Sequence, residues 1–109
     1  MISDIKIKEL IQEELIEANL YHSLFHSTHE AYAVIKEEIE EMQEAADECV
    51  HALDSIWSAS VKVDNYTYYE NDLMMLKSSA MHTAKEAIQV AAMAQKALDS
   101  LEEMDEQYI

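Results

Sequence analysis

The sequence contains no glycine and no proline among its 109 residues. Glycine supplies the positive φ angles, and proline the rigid bends, on which turn-rich β and mixed folds depend. Their absence indicates few, long helices joined by short connections, and it predicts an all-α fold. A chain of this length forms a single domain, 1–109, but it has little surface with which to cover long helices on every side.

The chain also lacks long apolar runs, and it has one cysteine, Cys49. No segment approaches the roughly 20 apolar residues of a membrane-spanning helix, and the N-terminus has no signal-peptide pattern. One cysteine cannot form an internal disulfide, which fits a reducing compartment. We therefore expect a cytoplasmic protein without a membrane partner.

Basic residues are scarce: 7 lysines and arginines stand against 23 aspartates and glutamates, a formal net charge of −16. A surface this acidic repels phosphate backbones and anionic lipids, so we expect no direct nucleic-acid partner. The same charge attracts divalent cations and basic protein surfaces.

The sequence does contain strong helical periodicity. A first helix is predicted from about Ser3 to Leu20, followed by a connection over 21–27. Ser27 and Glu30 match a capping box, so a long second helix is predicted from about Thr28 to about Ser60. After a turn over 61–66, a second capping box at 67–70 predicts the start of a third long helix, and the two long helices are expected to be antiparallel.

Apolar residues recur at spacings of three and four in both long helices, as on the buried face of an amphipathic helix. In the second helix they are Ile35, Ile39, Met42, Ala46, Cys49, Leu53 and Ile56. In the third they are Leu73, Leu76, Ala80, Ala84, Ala87, Ala91, Ala94, Leu98 and Leu101. Residues 87–94 are apolar nearly all round, so we expect a homodimer or homotetramer whose subunits together complete a helical bundle. The acidic tail, 102–109, is expected to fray.

Two acidic positions lie beside these predicted core faces. On a helical wheel, Glu38 falls next to the apolar stripe of the second helix, whereas Glu37 points away. Glu86 and Gln89 share a flank beside the stripe of the third helix. A carboxylate at the edge of a core must be neutralised, paired or bound to a metal. Acids spaced i, i+3 on two facing helices can together bind a hard cation such as Mg²⁺.

These residues also carry a family resemblance. Glu37-Glu38-x-x-Glu41 followed by Glu86-x-x-Gln89 resembles the E-E-x-x-E and E-x-x-D motifs of the all-α, MazG-like nucleoside triphosphate pyrophosphohydrolases. The longer blocks 29–38 and 86–94 are similar to the conserved blocks of a phage and prophage branch of that superfamily. Together the blocks cover about a fifth of the chain.

The resemblance implies hydrolysis of a deoxy- or ribonucleoside triphosphate to the monophosphate and pyrophosphate, with Mg²⁺ or Mn²⁺ as cofactor. It implies metal ligands at Glu38, Glu41, Glu86 and Gln89, and a role for Glu37 or Glu41 in positioning the attacking water. Gln89 stands where the family has aspartate, and a neutral amide binds Mg²⁺ more weakly than a carboxylate does. The implied substrate-binding residues are Asn19, Tyr21, Phe25, His29 and Lys85.

Three alternatives remain open. The chain could be a noncatalytic acidic oligomer that binds a basic protein, as phage-encoded inhibitors and DNA mimics do. Glu48 and His51 form the E-x-x-H unit of ferritin-like di-iron sites, although the helical wheel predicts that both are exposed to solvent. His22, His26 and His29 have a spacing that suits Zn²⁺ on a continuous helix, but the predicted cap at Ser27 interrupts that helix. The enzyme hypothesis requires the Glu38, Glu41 and Glu86 carboxylates to lie within about 5 Å of a common point.

Overall fold

The computed structural model of the chain describes residues 1–107, with side chains as far as Met104. Over this range the chain is all-α, as predicted, and contains no strand. Its helices are α1 (Asp4–Tyr21), α2 (Thr28–Ile56), α3 (Tyr69–Asp99) and α4 (Leu101–Gln107), and a π-helical turn over Trp57–Val61 continues α2. Among the described residues, no helix has the length and apolarity needed to span a membrane.

The first predicted capping box is confirmed in part. The Glu30 backbone N–H donates to Ser27 Oγ at 3.1 Å, which satisfies one of the unpaired donors at the start of α2. The Glu30 carboxylate accepts from the backbone N–H of His26 at 3.2 Å, one residue earlier than the capping-box pattern predicts. This arrangement fixes the connection between α1 and α2.

The turn before α3 differs from the second predicted capping box. The Thr67 hydroxyl donates to Asn65 Oδ1 at 2.7 Å, and the Thr67 backbone N–H donates to the same oxygen at 2.9 Å. Asp64 has a φ of 49°, in the left-handed region. Aspartate tolerates this region better than most residues, and it takes the place of a turn glycine in a chain that has none.

The chain divides into two compact units. The first comprises Met1–Ile39 and Ala87–Ile109, and the second comprises Glu40–Glu86. The first unit has a hydrophobic core of buried residues from α1, the α1–α2 connection, α2, α3 and α4, namely Leu15, Phe25, Ala31, Ala92, Met93 and Met104. α4 covers Leu101–Gln107, within the tail that was predicted to fray, and Met104 is 6% exposed. Residues 108 and 109 lie outside the described range.

In the second unit, α2 and α3 are antiparallel. Cys49 Sγ lies 3.8 Å from Thr83 Oγ1, and Ser55 Oγ lies 3.1 Å from Asp72 Oδ2, so later positions on α2 contact earlier positions on α3. The buried apolar residues of this unit are small in number and size: Ala45, Ala52 and Ile56. The antiparallel direction of the two long helices is therefore confirmed within this unit.

The inward face of α2 follows a seven-residue repeat. Ala31, Ala45 and Ala52 are its buried alanines, and Glu38 lies seven residues from both Ala31 and Ala45. Because seven residues are close to two helical turns, Glu38 occupies the line of the most buried positions. It is half-buried, whereas Glu37 is exposed, as the helical wheel predicts.

For α3 the predicted inward face is largely wrong. Most of its predicted stripe is exposed, including Leu73 and Leu98, which are 41% and 61% exposed. The inward line instead repeats every seven residues through Asp72, Ser79, Glu86, Met93 and Ser100, all buried or half-buried. Most of these are polar residues, so a search for apolar residues selects the opposite face. Of the run 87–94, six residues are buried or half-buried.

Candidate metal and substrate site

Three of the predicted metal ligands come together. Glu41 and Glu86 belong to the second unit, and Glu38 lies one turn before Glu41 on α2. Each presents a carboxylate oxygen, and the three oxygens lie within 4.8 Å of one another. Opposite ligands of Mg²⁺ lie about 4.2 Å apart, so this spacing suits a small hard cation after only a small side-chain adjustment.

The position of Glu86 is supported by a neighbour on its own helix. His82 Nε2 lies 3.3 Å from Glu86 Oε1, one turn earlier on α3, and the Glu86 side chain is 13% exposed. This contact restricts the rotation of the carboxylate. The sequence analysis did not assign His82 a role.

A polar cavity of about 430 Å³ lies in the first unit. Its walls include Glu38 and Gln89 together with Phe25, all of which the resemblance implied as site residues. The remaining lining residues, which sequence analysis did not assign to a site in this role, are Glu14, Ala18, His22, Ser23, Glu30, Val34, Met93 and Lys96. Glu38 therefore lies on the wall of a space large enough for part of a ligand.

Phe25 is held at this cavity by the end of α3. Its backbone N–H donates to Ser100 Oγ at 2.9 Å, and the Ser100 hydroxyl donates to the Lys96 carbonyl at 2.6 Å. Both Phe25 and Ser100 are buried, so these hydrogen bonds are shielded from water. The Lys96 Nζ atom lies 5.1 Å from the centre of the Phe25 ring, in a cation–π contact.

Lys96 is one of the lining residues that the sequence analysis did not assign to a site. It lies seven residues after Gln89, on the same side of α3. Extending the helical-wheel argument by two turns would have found it on the flank shared with Gln89 and Met93.

The other predicted substrate residues are placed apart from this cavity. Asn19, Tyr21, His29 and Lys85 are exposed and do not line it, and Glu37 is also exposed. Tyr21 is the C-terminal residue of α1 and is 76% exposed. Of the five predicted substrate residues, only Phe25 lines the cavity, where its ring supports a lysine.

The E-x-x-H unit lies in the second unit. Glu48 and His51 are both exposed, as predicted, and line a cavity of about 240 Å³ with Ser55, Asp72 and other residues of α2 and α3. Within the described residues, the acids Glu38, Glu41 and Glu86 form the only group of three or more potential metal ligands. In the part of the chain that the structure describes, neither the E-x-x-H unit nor the set of His22, His26 and His29 forms such a group. The His26 Nδ1 atom lies 3.4 Å from Glu30 Oε2.

Comparison with known proteins adds no relative. No family model, no curated protein and no solved structure matches this chain.

Proposed function

We propose that this chain is a Mg²⁺-dependent nucleoside triphosphate pyrophosphohydrolase, which cleaves the α–β phosphoanhydride bond and releases a monophosphate and pyrophosphate. The observation that carries the proposal is the group of Glu38, Glu41 and Glu86 oxygens within 4.8 Å of one another. The motif resemblance to the MazG-like enzymes supports it, since the same three residues correspond to that family's metal ligands. A noncatalytic acidic surface would not require these carboxylates to converge.

In this proposal Glu38, Glu41 and Glu86 hold the cation, with Mn²⁺ as a substitute for Mg²⁺. Gln89 lines the cavity beside Glu38 and contributes its amide oxygen as a neutral ligand or orients a water molecule. Glu41, which is exposed, positions the attacking water in preference to Glu37, which belongs to no such group.

Glu38, Glu41 and Glu86 would hold Mg²⁺, which would supply positive charge to stabilise the negative charge that develops during phosphoryl transfer to water. The three carboxylates fix the location of that positive charge. They also account for how a chain of net charge −16 tolerates a polyanionic substrate, because the cation neutralises the repulsion locally.

We further propose that the chain acts in the cytoplasm as a dimer that pairs α3 with its copy. The exposed apolar stripe of α3 is symmetric about Ala87: Leu76 and Leu98 lie eleven residues to either side, and Ala80 and Ala94 lie seven. A two-fold axis at Ala87 therefore brings leucine against leucine and alanine against alanine in an antiparallel pair. The central alanines allow close approach of the two helices.

The decisive experiment is a screen of ribo- and deoxynucleoside triphosphates, common and modified, with Mg²⁺ or Mn²⁺ and detection of pyrophosphate. We expect turnover of at least one nucleotide class by the wild type and its loss in Glu38→Gln. Glu44→Gln is a matched control, because Glu44 is an exposed acid two turns further along α2.

No turnover across the panel, combined with no rise in melting temperature on adding Mg²⁺ or Mn²⁺, would contradict the proposal. It would favour the alternative of an acidic helical oligomer that binds a basic protein.

A further inference from the structure

The end of α2 departs from the seven-residue repeat of its inward face. The next member of that repeat after Ala45 and Ala52 is Ala59. In the structure, however, Ser60 is the buried residue of this turn, at 2% exposed, whereas Ala59 is half-buried. Val63, one turn further along the chain, is 57% exposed. The inward position at the end of α2 is therefore occupied by a polar residue, while an apolar residue nearby is exposed.

The π-helical turn that continues α2 causes this shift. The Lys62 backbone N–H donates to the Trp57 carbonyl at 2.8 Å, and the Asn65 backbone N–H donates to the Ser60 carbonyl at 3.1 Å. Both hydrogen bonds span five residues, whereas those of an α-helix span four. Because a π-helical turn holds more residues than an α-helical turn, the side chains that follow are rotated away from the α-helical pattern.

Continued α-helical geometry would give a more apolar inward face. With about 100° per residue counted from Ala45, Val63 falls on the inward line and Ala59 falls within about 40° of it. On the same count Ser60 falls about 60° to one side, towards the edge of the contact between the helices. The apolar pattern of this segment therefore fits an α-helix, although the segment adopts a π-helical turn.

The π-helical turn leaves the Ser60 hydroxyl unsatisfied. Among the described residues, Ser60 Oγ has no hydrogen-bond partner. A buried hydroxyl without a partner destabilises the folded state, because burial removes its hydrogen bonds to water. Asp64, which follows the turn, has a φ of 49°, in a region that aspartate tolerates but does not prefer. Two separate unfavourable features therefore coincide at the end of α2.

We propose that residues 57–63 form a register switch. In the π register described above, Ser60 lies inward. In the second register the α-helix continues through 57–63, so that Ala59 and Val63 take the inward positions and Ser60 turns towards solvent. Each register satisfies what the other leaves unfavourable, and two such packings of one segment exchange on the μs–ms timescale.

The switch acts on a cavity at the start of α3. This cavity of about 460 Å³ lies in the second unit and is lined by Tyr66, Tyr69, Glu70, Leu73, Met74 and Lys77. Tyr66 is linked to the switch because its hydroxyl donates to Asp64 Oδ1 at 3.2 Å. A change of register therefore moves the wall formed by Tyr66, while the residues on α3 stay in place. None of these residues belongs to the proposed cation site, so the switch is independent of the function proposed above.

Nuclear magnetic resonance distinguishes the two registers at one hydrogen bond. The Lys62 N–H donates to the Trp57 carbonyl in the π register and to the Ser58 carbonyl in the α register, and the scalar coupling across the bond identifies the acceptor. In the wild type we expect the coupling to Trp57, with relaxation dispersion centred on 57–66. Val63→Asp should abolish this dispersion, because it places a charge on the inward line of the α register only. Ser58→Asp, at an exposed position of the same turn, is the matched control and should leave the dispersion unchanged.

Ser60→Asp tests the switch in the opposite direction. A buried carboxylate is far less favourable than a buried hydroxyl, so this variant should raise the population of the α register at least tenfold and move the Lys62 coupling to Ser58. Circular dichroism checks that each variant keeps its helical content. Dispersion that persists in Val63→Asp would overturn the switch. So would a wild type without dispersion, combined with a Ser60→Asp variant that keeps the bond to Trp57 or unfolds.

Discussion

The polar cavities of the two units differ in what their buried charged residue contacts. In the first unit the buried charge is the Lys96 ammonium, which lies 5.1 Å from the centre of the Phe25 ring. In the second unit it is Asp72, 7% exposed, which accepts a hydrogen bond from Ser55. Asp72 also lies in the first turn of α3, where the helix dipole stabilises negative charge. The buried carboxylate is therefore stabilised by a hydroxyl donor and a helix start, whereas the buried ammonium lies against the face of an aromatic ring.

The units also differ in how much apolar surface they bury. The first unit packs residues of all four helices into one core, while the buried apolar residues of the second are two alanines and one isoleucine. The second unit leaves large side chains exposed, among them Leu53, Trp57, Val61, Tyr66 and Met74, each more than half exposed.

The largest expected effect concerns the carboxylates at the acidic group. Glu86→Gln should lower turnover by about 10²–10³-fold, equivalent to roughly 3–4 kcal/mol, because a ligand to the charge-stabilising cation is lost. Glu48→Gln removes the same charge beside the second unit's cavity and should leave turnover unchanged. Steady-state kinetics on both variants checks the contrast, and equal losses would show that general surface charge, and not a site, supports activity.

The second largest expected effect is on stability, because the two units differ in how fully their cores are packed. Leu15→Ala in the first unit should lower the free energy of unfolding by about 3 kcal/mol, since Leu15 is 5% exposed. Leu53→Ala in the second unit, where Leu53 is 59% exposed, should cost less than about 1 kcal/mol in dilute protein. Urea unfolding over a range of protein concentrations provides the measurement. Equal costs at every concentration would mean that the second unit is packed as fully as the first.

A slightly smaller effect is expected for a substitution that weakens the proposed dimer of α3 helices. Ala87→Glu places two like charges at the proposed two-fold axis and should weaken dimerisation about 100-fold, or roughly 2.7 kcal/mol. Gln43→Glu, at an exposed position of α2, adds the same charge away from that axis. Sedimentation equilibrium distinguishes the two variants. A wild type that stays monomeric at high concentration, or a dimer insensitive to Ala87→Glu, would exclude this pairing.

The smallest expected effect concerns Asp72. Ser55→Ala removes the hydroxyl that donates to this buried carboxylate and should lower the free energy of unfolding by about 1–3 kcal/mol, with no change in turnover. Ser78→Ala, at an exposed position of α3, is the control. Thermal and urea unfolding measure the difference. If Ser55→Ala reduced turnover as well, the second cavity would belong to the functional site.

Much of this architecture could be predicted from the sequence. The lack of glycine and proline and the cap at Ser27 predicted the all-α class and the start of α2, both of which are confirmed. The helical wheel also placed Glu38 correctly at the inward face of α2. This face is lined by apolar residues, so its direction could be read from their spacing. The wheel also predicted that Glu38 and Glu86 lie beside the core, whereas Glu41 was included because of the family resemblance.

The face of α3 was mistaken because its inward line is polar. Asp72, Glu86 and Ser100 are accommodated by partners that only the folded chain reveals: Ser55, His82 and the Phe25 backbone. Periodicity ranks faces by apolarity and cannot register such pairings. The change from α to π geometry at Trp57 likewise had no signal among the patterns considered.

The central claim is that Glu38, Glu41 and Glu86 form one cation site. Titration of Mn²⁺ followed by electron paramagnetic resonance, which detects the unbound ion, tests it most directly. We predict a bound ion whose affinity falls at least tenfold in each of Glu38→Gln, Glu41→Gln and Glu86→Gln and is retained in Glu37→Gln. Equal Mn²⁺ affinity in all four variants and the wild type would show diffuse attraction to an acidic surface and contradict the site.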